Sequence, residues 1–218
     1  MTSDPALTLW NQNIGRVPDS VWERTHLETL ILAGSNLKEL SEQIGRLTKL
    51  RTLDLGHNRL TRLPDALGEI SGLTNFLYLH DNRLTSLPHS FTGLSRLRYL
   101  NISENAFTEL PDVVTELAGL IELRATDNQI ASLPESIARL SRLRELHLRN
   151  NRLTSLPALV GELKDLRHLD LRGNPLTQLP HAIAGLPRLE KLDLRWVTTL
   201  PPPPWLRTLE AGGCLVYR

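Results

Sequence analysis

Asn58, Asn82, Asn105, Asn128, Asn151 and Asn174 recur every 23 residues, with one interval of 24. Each stands in the same frame, L-x-x-L-x-L-x-x-N-x-L-x-x-L-P, with conservative swaps at the apolar places. A unit this short cannot bury its apolar face alone, so successive units must stack on one another. The period therefore predicts a solenoid of stacked coils rather than a globule built around one cleft. The frame runs nearly end to end and leaves no linker. Residues 1–218 are expected to form one domain: an atypical N-terminal coil over 1–26, regular repeats over 27–196, and a shortened C-terminal coil with a capping strand over 197–218.

With the first Leu of the frame as position 1, coils begin near Asp4, Leu27, Leu50, Leu73, Leu97, Leu120, Leu143, Leu166 and Leu189. Positions 4 and 6 are apolar, as in Leu53/Leu55 and Leu146/Leu148, and this alternation predicts a short half-buried strand. Stacked coils would pair those strands in parallel. The Asn at position 9 has donors and an acceptor for the backbone of the tight turn, which would otherwise stay unpaired. Removing one such side chain should cost about 1–3 kcal/mol. Positions 14–15 are Leu-Pro, as in Leu63-Pro64 and Leu133-Pro134. Proline suits the first turn of a helix, and the residues after it have helical spacing. A short helical or 3₁₀ segment is expected on the convex side, with Leu67, Ile70, Ile137, Leu140, Val160, Leu163, Ile183 and Leu186 pointing inward.

This frame resembles the leucine-rich repeat family throughout. Its L-P-x-x-I-G-x-L signature, represented by Leu156-Pro157-Ala158-Leu159-Val160-Gly161-Glu162-Leu163, is most similar to the intracellular Ras-group type and its bacterial relatives. The resemblance implies an α/β right-handed solenoid, with a parallel sheet on the concave face and helical or 3₁₀ pieces on the convex face. It also implies protein binding on the concave side.

The departures from the frame carry their own expectations. Ser35 replaces the Asn and Ser41 the Pro of the first full coil. The interval of 24 places an extra residue in the segment 73–79, and a bulge in the strand there would re-aim Phe76 and Tyr78. After Leu194, Pro201–Pro204 replace the convex segment. Leu206, Leu209, Ala211, Cys214 and Val216 then match positions 1, 4, 6, 9 and 11, which predicts a last strand at 209–211 and puts Cys214 in the Asn slot. Ten strands at ~4.8 Å spacing would make a stack about 45 Å long.

The formal net charge is only +1, which argues against a general nucleic-acid binder. A single cysteine excludes an intrachain disulfide, and the first residues show no basic and apolar leader. No stretch approaches the ~18 apolar residues of a spanning helix. A cytoplasmic, reducing compartment is expected, with delivery into a host cell as the other route. No phosphate-binding loop, nucleophile elbow or zinc-protease pattern is present. The expectation is an interaction module or scaffold with no cofactor and no catalysis of its own.

Non-leucine strand positions face the concave side. Phe76, Tyr78 and Tyr99 fall there on neighbouring coils, with His80 beside them. Arg149, Arg172 and Arg195 form a column at position 7, flanked by Arg124 and His147, with Trp196 next to the last. Aromatics beside arginines are the composition of binding hot spots. These ten residues are the candidate partner-binding set, for a protein partner with an acidic patch. The column has a second reading, cross-strand ion pairing with Asp170, Asp193 and Glu145. Metal binding through His57/His80/Asp81 or His147/His168/Asp170 is not expected, because an open sheet rarely closes around an ion. Cys214 is read as a buried cap rather than a nucleophile. The family resemblance leaves two further roles open: the substrate-targeting part of a bacterial effector and ubiquitin-ligase system, and, through its likeness to the Ras-group type alone, regulation of a small GTPase. The last strand has no obvious polar cap, which leaves the oligomeric state open.

Overall fold

The computed structural model describes residues 4–218; Met1–Ser3, on which part of the leader expectation falls, lie outside the described residues. Ten three-residue strands succeed one another in order: β1 (Ala6–Thr8), β2 (Thr29–Ile31), β3 (Thr52–Asp54), β4 (Phe76–Tyr78), β5 (Tyr99–Asn101), β6 (Glu122–Arg124), β7 (Glu145–His147), β8 (His168–Asp170), β9 (Lys191–Asp193) and β10 (Leu215–Tyr217). They pair in sequence order as one parallel sheet that does not close. Each strand spans positions 3 to 5 of its coil. Its central residue is buried leucine from β2 to β9, while the two flanking residues turn to the concave face.

The asparagines lie where backbone polar groups converge. The Asn128 Oδ1 accepts from the Phe107 N–H at 3.2 Å, and its Nδ2 donates to the carbonyls of Ile102, Ala125 and Thr126. Asn58, Asn82, Asn105, Asn151 and Asn174 repeat that pattern, each joining its own coil to the one before. In the first full coil Ser35 does part of the work. Its Oγ donates to the Leu9 carbonyl at 2.8 Å, the equivalent of the bond from Asn58 to Leu32. Ser41 stands in for proline as a helix cap, its Oγ accepting from the Gln43 N–H.

The convex side carries one helical piece per regular coil. Two are α-helical, α1 (Asp65–Gly68) and α2 (Asp112–Thr115), and the others are 3₁₀. The prolines sit at the cap, one residue before the helix, with extended ψ. Leu67, Ile70, Ile137, Leu140, Val160, Leu163, Ile183 and Leu186 are all buried, completing a core of leucine columns closed at the N-terminal end by Trp22. Truncating a central leucine such as Leu146 should cost about 2–5 kcal/mol.

Two expectations need correction. The extra residue is not in the strand. Thr52, Phe76 and Tyr99 stay in register, as do Asp54, Tyr78 and Asn101. It is absorbed just ahead, where the Arg98 and Tyr99 N–H groups use the Thr74 and Asn75 carbonyls separately. In the next coil one carbonyl, that of Arg98, accepts both bonds. Phe76 and Tyr78 are therefore not re-aimed. The C-terminal coil also differs: residues 206–211 form a helix, α3 (Leu206–Ala211), and the last strand is β10, in register with β9. A spacing of three between Leu206 and Leu209 fits one helical turn as well as positions 1 and 4 of the frame. The tetraproline run leaves the helix as the way back to the sheet, and Gly213, at φ +92°, ends it. Cys214 thus immediately precedes the strand and is not in the Asn slot. It is buried, and burial pushes its thiol pKa up.

Candidate functional site

Turn chemistry just beyond the strands sets the concave surface. Position 5 is often Asp or Asn, and its side-chain oxygen accepts the N–H two residues on: Asp54 to Gly56, Asn101 to Ser103, Asp170 to Arg172, Asp193 to Arg195. Position 8 is left-handed in every coil, at Asn11, Gly34, His57, Asp81, Glu104, Asp127, Asn150, Gly173 and Trp196, with φ between +49° and +66°. The leucine and asparagine frame does not mark this row. Its signal is a majority of Asn, Asp and Gly, the residues that tolerate this conformation, broken by His57, Glu104 and Trp196. Trp196 is the bulky exception and is 66% exposed.

At the centre, Phe76, Tyr78 and Tyr99 form one cluster, with ring centroids 5.0 to 6.0 Å apart. Phe76 is 43% exposed, and burial is the main cause that pushes the Tyr99 hydroxyl up to about 12. A cleft of ≈ 320 Å³ opens beside the rings, lined by Asn75, Phe76, Arg98, Tyr99, Ile121 and Glu122. His80 lies over Gly56, where any Cβ would come within 2.3 Å of the ring. Its Nε2 is 3.1 Å from His57 Nε2, and Asp81 Oδ2 accepts from His57 Nδ1 at 2.8 Å. Burial, then the neighbouring His57, lowers the His80 pKa. His57, His80 and Asp81 thus do meet, as a hydrogen-bonded chain.

Toward the C-terminus the three column arginines are all engaged. Arg149 bonds Asp127 at 2.9 Å, a partner that was not among the carboxylates expected from strand positions. Arg172 grips Asp170 through Nε and Nη2 and lies 3.6 Å from Asp193. Arg195 grips Asp193 in the same bidentate way. Asp193 is almost completely buried, so the carboxylates lie beneath and the guanidiniums on top. Burial pushes the Asp193 carboxyl up, but the hydrogen bonds from Arg195 and the charges of Arg172 and Arg195 together hold it below the usual range. Arg172 and Arg195 both lie against the Trp196 ring, at 5.8 and 5.9 Å. Arg195 and Lys191 also cover Tyr217, which the sequence did not single out because its strand was expected earlier in the chain. Arg149 and Arg172 of this column line a cleft of ≈ 230 Å³ with Arg124, His147, His168, Lys191 and Asp193.

Between the two regions, Glu122, Glu145 and His147 bring ligand-type atoms within 4.8 Å of one another. Arg124 already holds Glu122 at 2.6 Å, and His147 bonds Glu145 at 3.1 Å. A metal ion would have to compete with that guanidinium charge. Cys214 lies just ahead of β10, buried beside Leu192 of β9.

The leucine rich repeat family model matches residues 6–60, 25–84, 71–130 and 141–196, and a two-copy leucine rich repeats model matches 119–161. No curated protein matches the sequence. Among solved structures, a leucine-rich repeat protein of Leptospira interrogans is 29% identical with a TM-score of 0.88, over 94% of this chain and 51% of that one. This chain therefore spans about half the length of that relative. The leucine-rich repeat domain of the type III effector XopL is 27% identical, with a TM-score of 0.83 over 100% of this chain and 77% of that one. The ectodomain of the receptor kinase GASSHO1/SCHENGEN3 from Arabidopsis thaliana, in complex with Casparian strip integrity factor 2, is 30% identical at a TM-score of 0.65, over 94% and 28%. Among the described residues no helix is long and apolar enough to cross a membrane.

Proposed function

The chain belongs to the leucine-rich repeat family, and from that premise we propose that it is a binding module whose concave face captures a protein partner. The family's fold is a general protein-interaction module. The observation that carries the reading here is the solvent-facing cluster of Phe76, Tyr78 and Tyr99 on consecutive strands. A sheet with a bonded Asn ladder behind it holds those rings in place before binding, so little ordering entropy is lost on association. The aromatics serve as desolvated anchors, and His80 supports Tyr78 from the side. Arg149, Arg172, Arg195 and Arg124, with His147 and Trp196, form the second half of the surface. Their guanidiniums lie above the carboxylates they bond and present positive charge to an acidic patch of the partner. The whole of residues 1–218 acts as one such module, without catalysis or cofactor of its own, in the cytoplasm of its own cell or of a host.

The likeness to the effector domain supports a second reading, in which the module targets substrates for a bacterial effector acting in a ubiquitin-ligase system. The captured proteins separate the two. Co-recovery of ligase components with a substrate supports the effector role, and their absence from a recovered complex counts against it.

The test is capture from native and host lysates with wild type, Tyr78→Ala and Arg149→Glu, read by mass spectrometry, with the thermal midpoint of each variant as the folding control. A protein retained by wild type and lost from a folded Tyr78→Ala variant supports the concave face. Equal recovery from all three removes that face as the site.

A further inference from the structure

The two halves of the concave face treat their aromatic rings differently. At the C-terminal end the molecule supplies its own cations: Lys191 and Arg195 lie 5.2 and 5.3 Å from the Tyr217 centroid, and Arg172 and Arg195 lie against Trp196. Among the described residues, no cation covers Phe76, Tyr78 or Tyr99. Carboxylates surround those rings instead. Strand register places Asp54 directly beside Tyr78, and Glu122 directly beside Tyr99. Asp81 and Glu104 come next on the turns, both exposed and close enough to act on His80.

Few positive groups offset them. Arg124 is bonded to Glu122 and Arg98 lines the cleft beside Tyr99, while Asp81 accepts a hydrogen bond from His57. Asp54 accepts only the Gly56 backbone N–H, and Glu104 has no ion pair among the described residues. Exposed rings with Asp54 beside Tyr78 and Glu104 beside the neighbouring His80, neither carboxylate in an ion pair among the described residues, form a receptor for a cation that the chain itself lacks. An aromatic face attracts a cation within ~6 Å of its centroid, and the carboxylates add charge attraction over the same ground.

We propose that the central aromatic cluster docks a basic side chain of the protein partner, arginine before lysine, stacked on Phe76 and Tyr78 with Asp54 and Glu104 facing its charge. The proposal rests on the concave face being the partner surface. Arginine is favoured because its planar guanidinium stacks on a ring while its edge still donates to carboxylates. With guanidiniums on top at the other end, the partner segment is polar along its length. Its basic part lies over β4 and β5, and its acidic part over β8 and β9.

The experiment uses fluorescently labelled tetra-arginine, tetra-lysine and tetra-glutamate peptides, followed by anisotropy at low salt. Tetra-arginine should bind more tightly than tetra-lysine. Phe76→Ala and Tyr78→Ala should each weaken it about three- to tenfold, and Asp54→Asn with Glu104→Gln by a similar factor. Arg149→Gln should leave tetra-arginine binding within about twofold and weaken tetra-glutamate instead. Absence of tetra-arginine binding overturns the proposal, and so does binding that ignores all four central substitutions. A lysate partner lost in Tyr78→Ala but not displaced by tetra-arginine also overturns it, while leaving the concave face as the binding surface. Equal recovery from wild type and Tyr78→Ala removes the underlying surface itself. Far-ultraviolet circular dichroism of each variant shows that lost binding is not lost folding.

Discussion

Asp54-Leu55-Gly56 and Asp170-Leu171-Arg172 occupy the same places in different coils and produce opposite surfaces. In both, the Asp accepts the N–H two residues on and so fixes the turn. In the later coil the residue at that N–H is Arg, and its side chain folds back onto the same carboxylate. In the earlier coil it is Gly, and the space above it holds the His80 ring of the next coil. One residue type therefore decides whether the aspartate ends beneath a guanidinium or faces solvent beside an aromatic ring. Backbone demands repeat through a solenoid, while surface charge is set coil by coil.

The largest effect expected from this contrast is on stability. Asp170→Ala removes an acceptor of three hydrogen bonds from Arg172, two of them charge-assisted, at a side chain that is 10% exposed. It should cost about 2–3 kcal/mol. Glu104→Gln, at an exposed carboxylate with no ion pair among the described residues, should stay within about 0.5 kcal/mol. Urea unfolding of the two variants measures the difference. Equal losses would mean that neither the turn bond to Asp170 nor the grip of Arg172 on it contributes to stability.

The period of the asparagines was enough to show the coils, the strands, the buried leucines and the convex helical pieces, because each arises from one repeated demand for burial and backbone pairing. Where that demand is met by different chemistry, the sequence misled. Leu206 and Leu209 satisfy a strand frame and a helical turn alike, and only packing after the tetraproline run separates them. The left-handed position was visible only in its composition, since its residues vary in type from coil to coil. The Arg column was legible as a column, and its neighbours Asp170 and Asp193 were legible as ion partners. What was not legible is that Asp127 holds Arg149, since that bond joins position 8 of one coil to position 7 of the next. Nor did spacing show which carboxylates would be covered, because that depends on side-chain direction above the sheet.

A smaller effect sharpens the contrast at the arginine end. Arg172→Glu places a carboxylate beside Asp170 and Asp193, and like charges at that range repel with little screening by solvent. The loss should be about 1–2 kcal/mol, seen as a thermal midpoint several degrees lower. Arg149→Glu faces only Asp127 on a more exposed side chain and should lose less. If both variants unfold like wild type yet lose a partner, the guanidiniums serve binding alone and the ion pairs contribute little.

The smallest effect belongs to His80, and its sign is set by burial. The folded state lowers the His80 pKa below its ordinary 6.5, first by burial and then through His57. The unfolded chain therefore takes up the proton first as pH falls, and stability is lost on acidification below that value. The contribution should be under about 1 kcal/mol, because the ring is only partly buried. Gly56→Ala forces the ring off its seat and breaks its contact with His57, so the variant should show a flatter dependence of the thermal midpoint between pH 7 and pH 5, roughly the range of an ordinary histidine. An NMR titration gives the same answer at one residue: the His80 ring should titrate below the ordinary value in wild type and move up toward it in Gly56→Ala. A His80 midpoint that is ordinary in both proteins would mean that the ring is not held over Gly56, and that the charge around Tyr78 is not shaped by its neighbour.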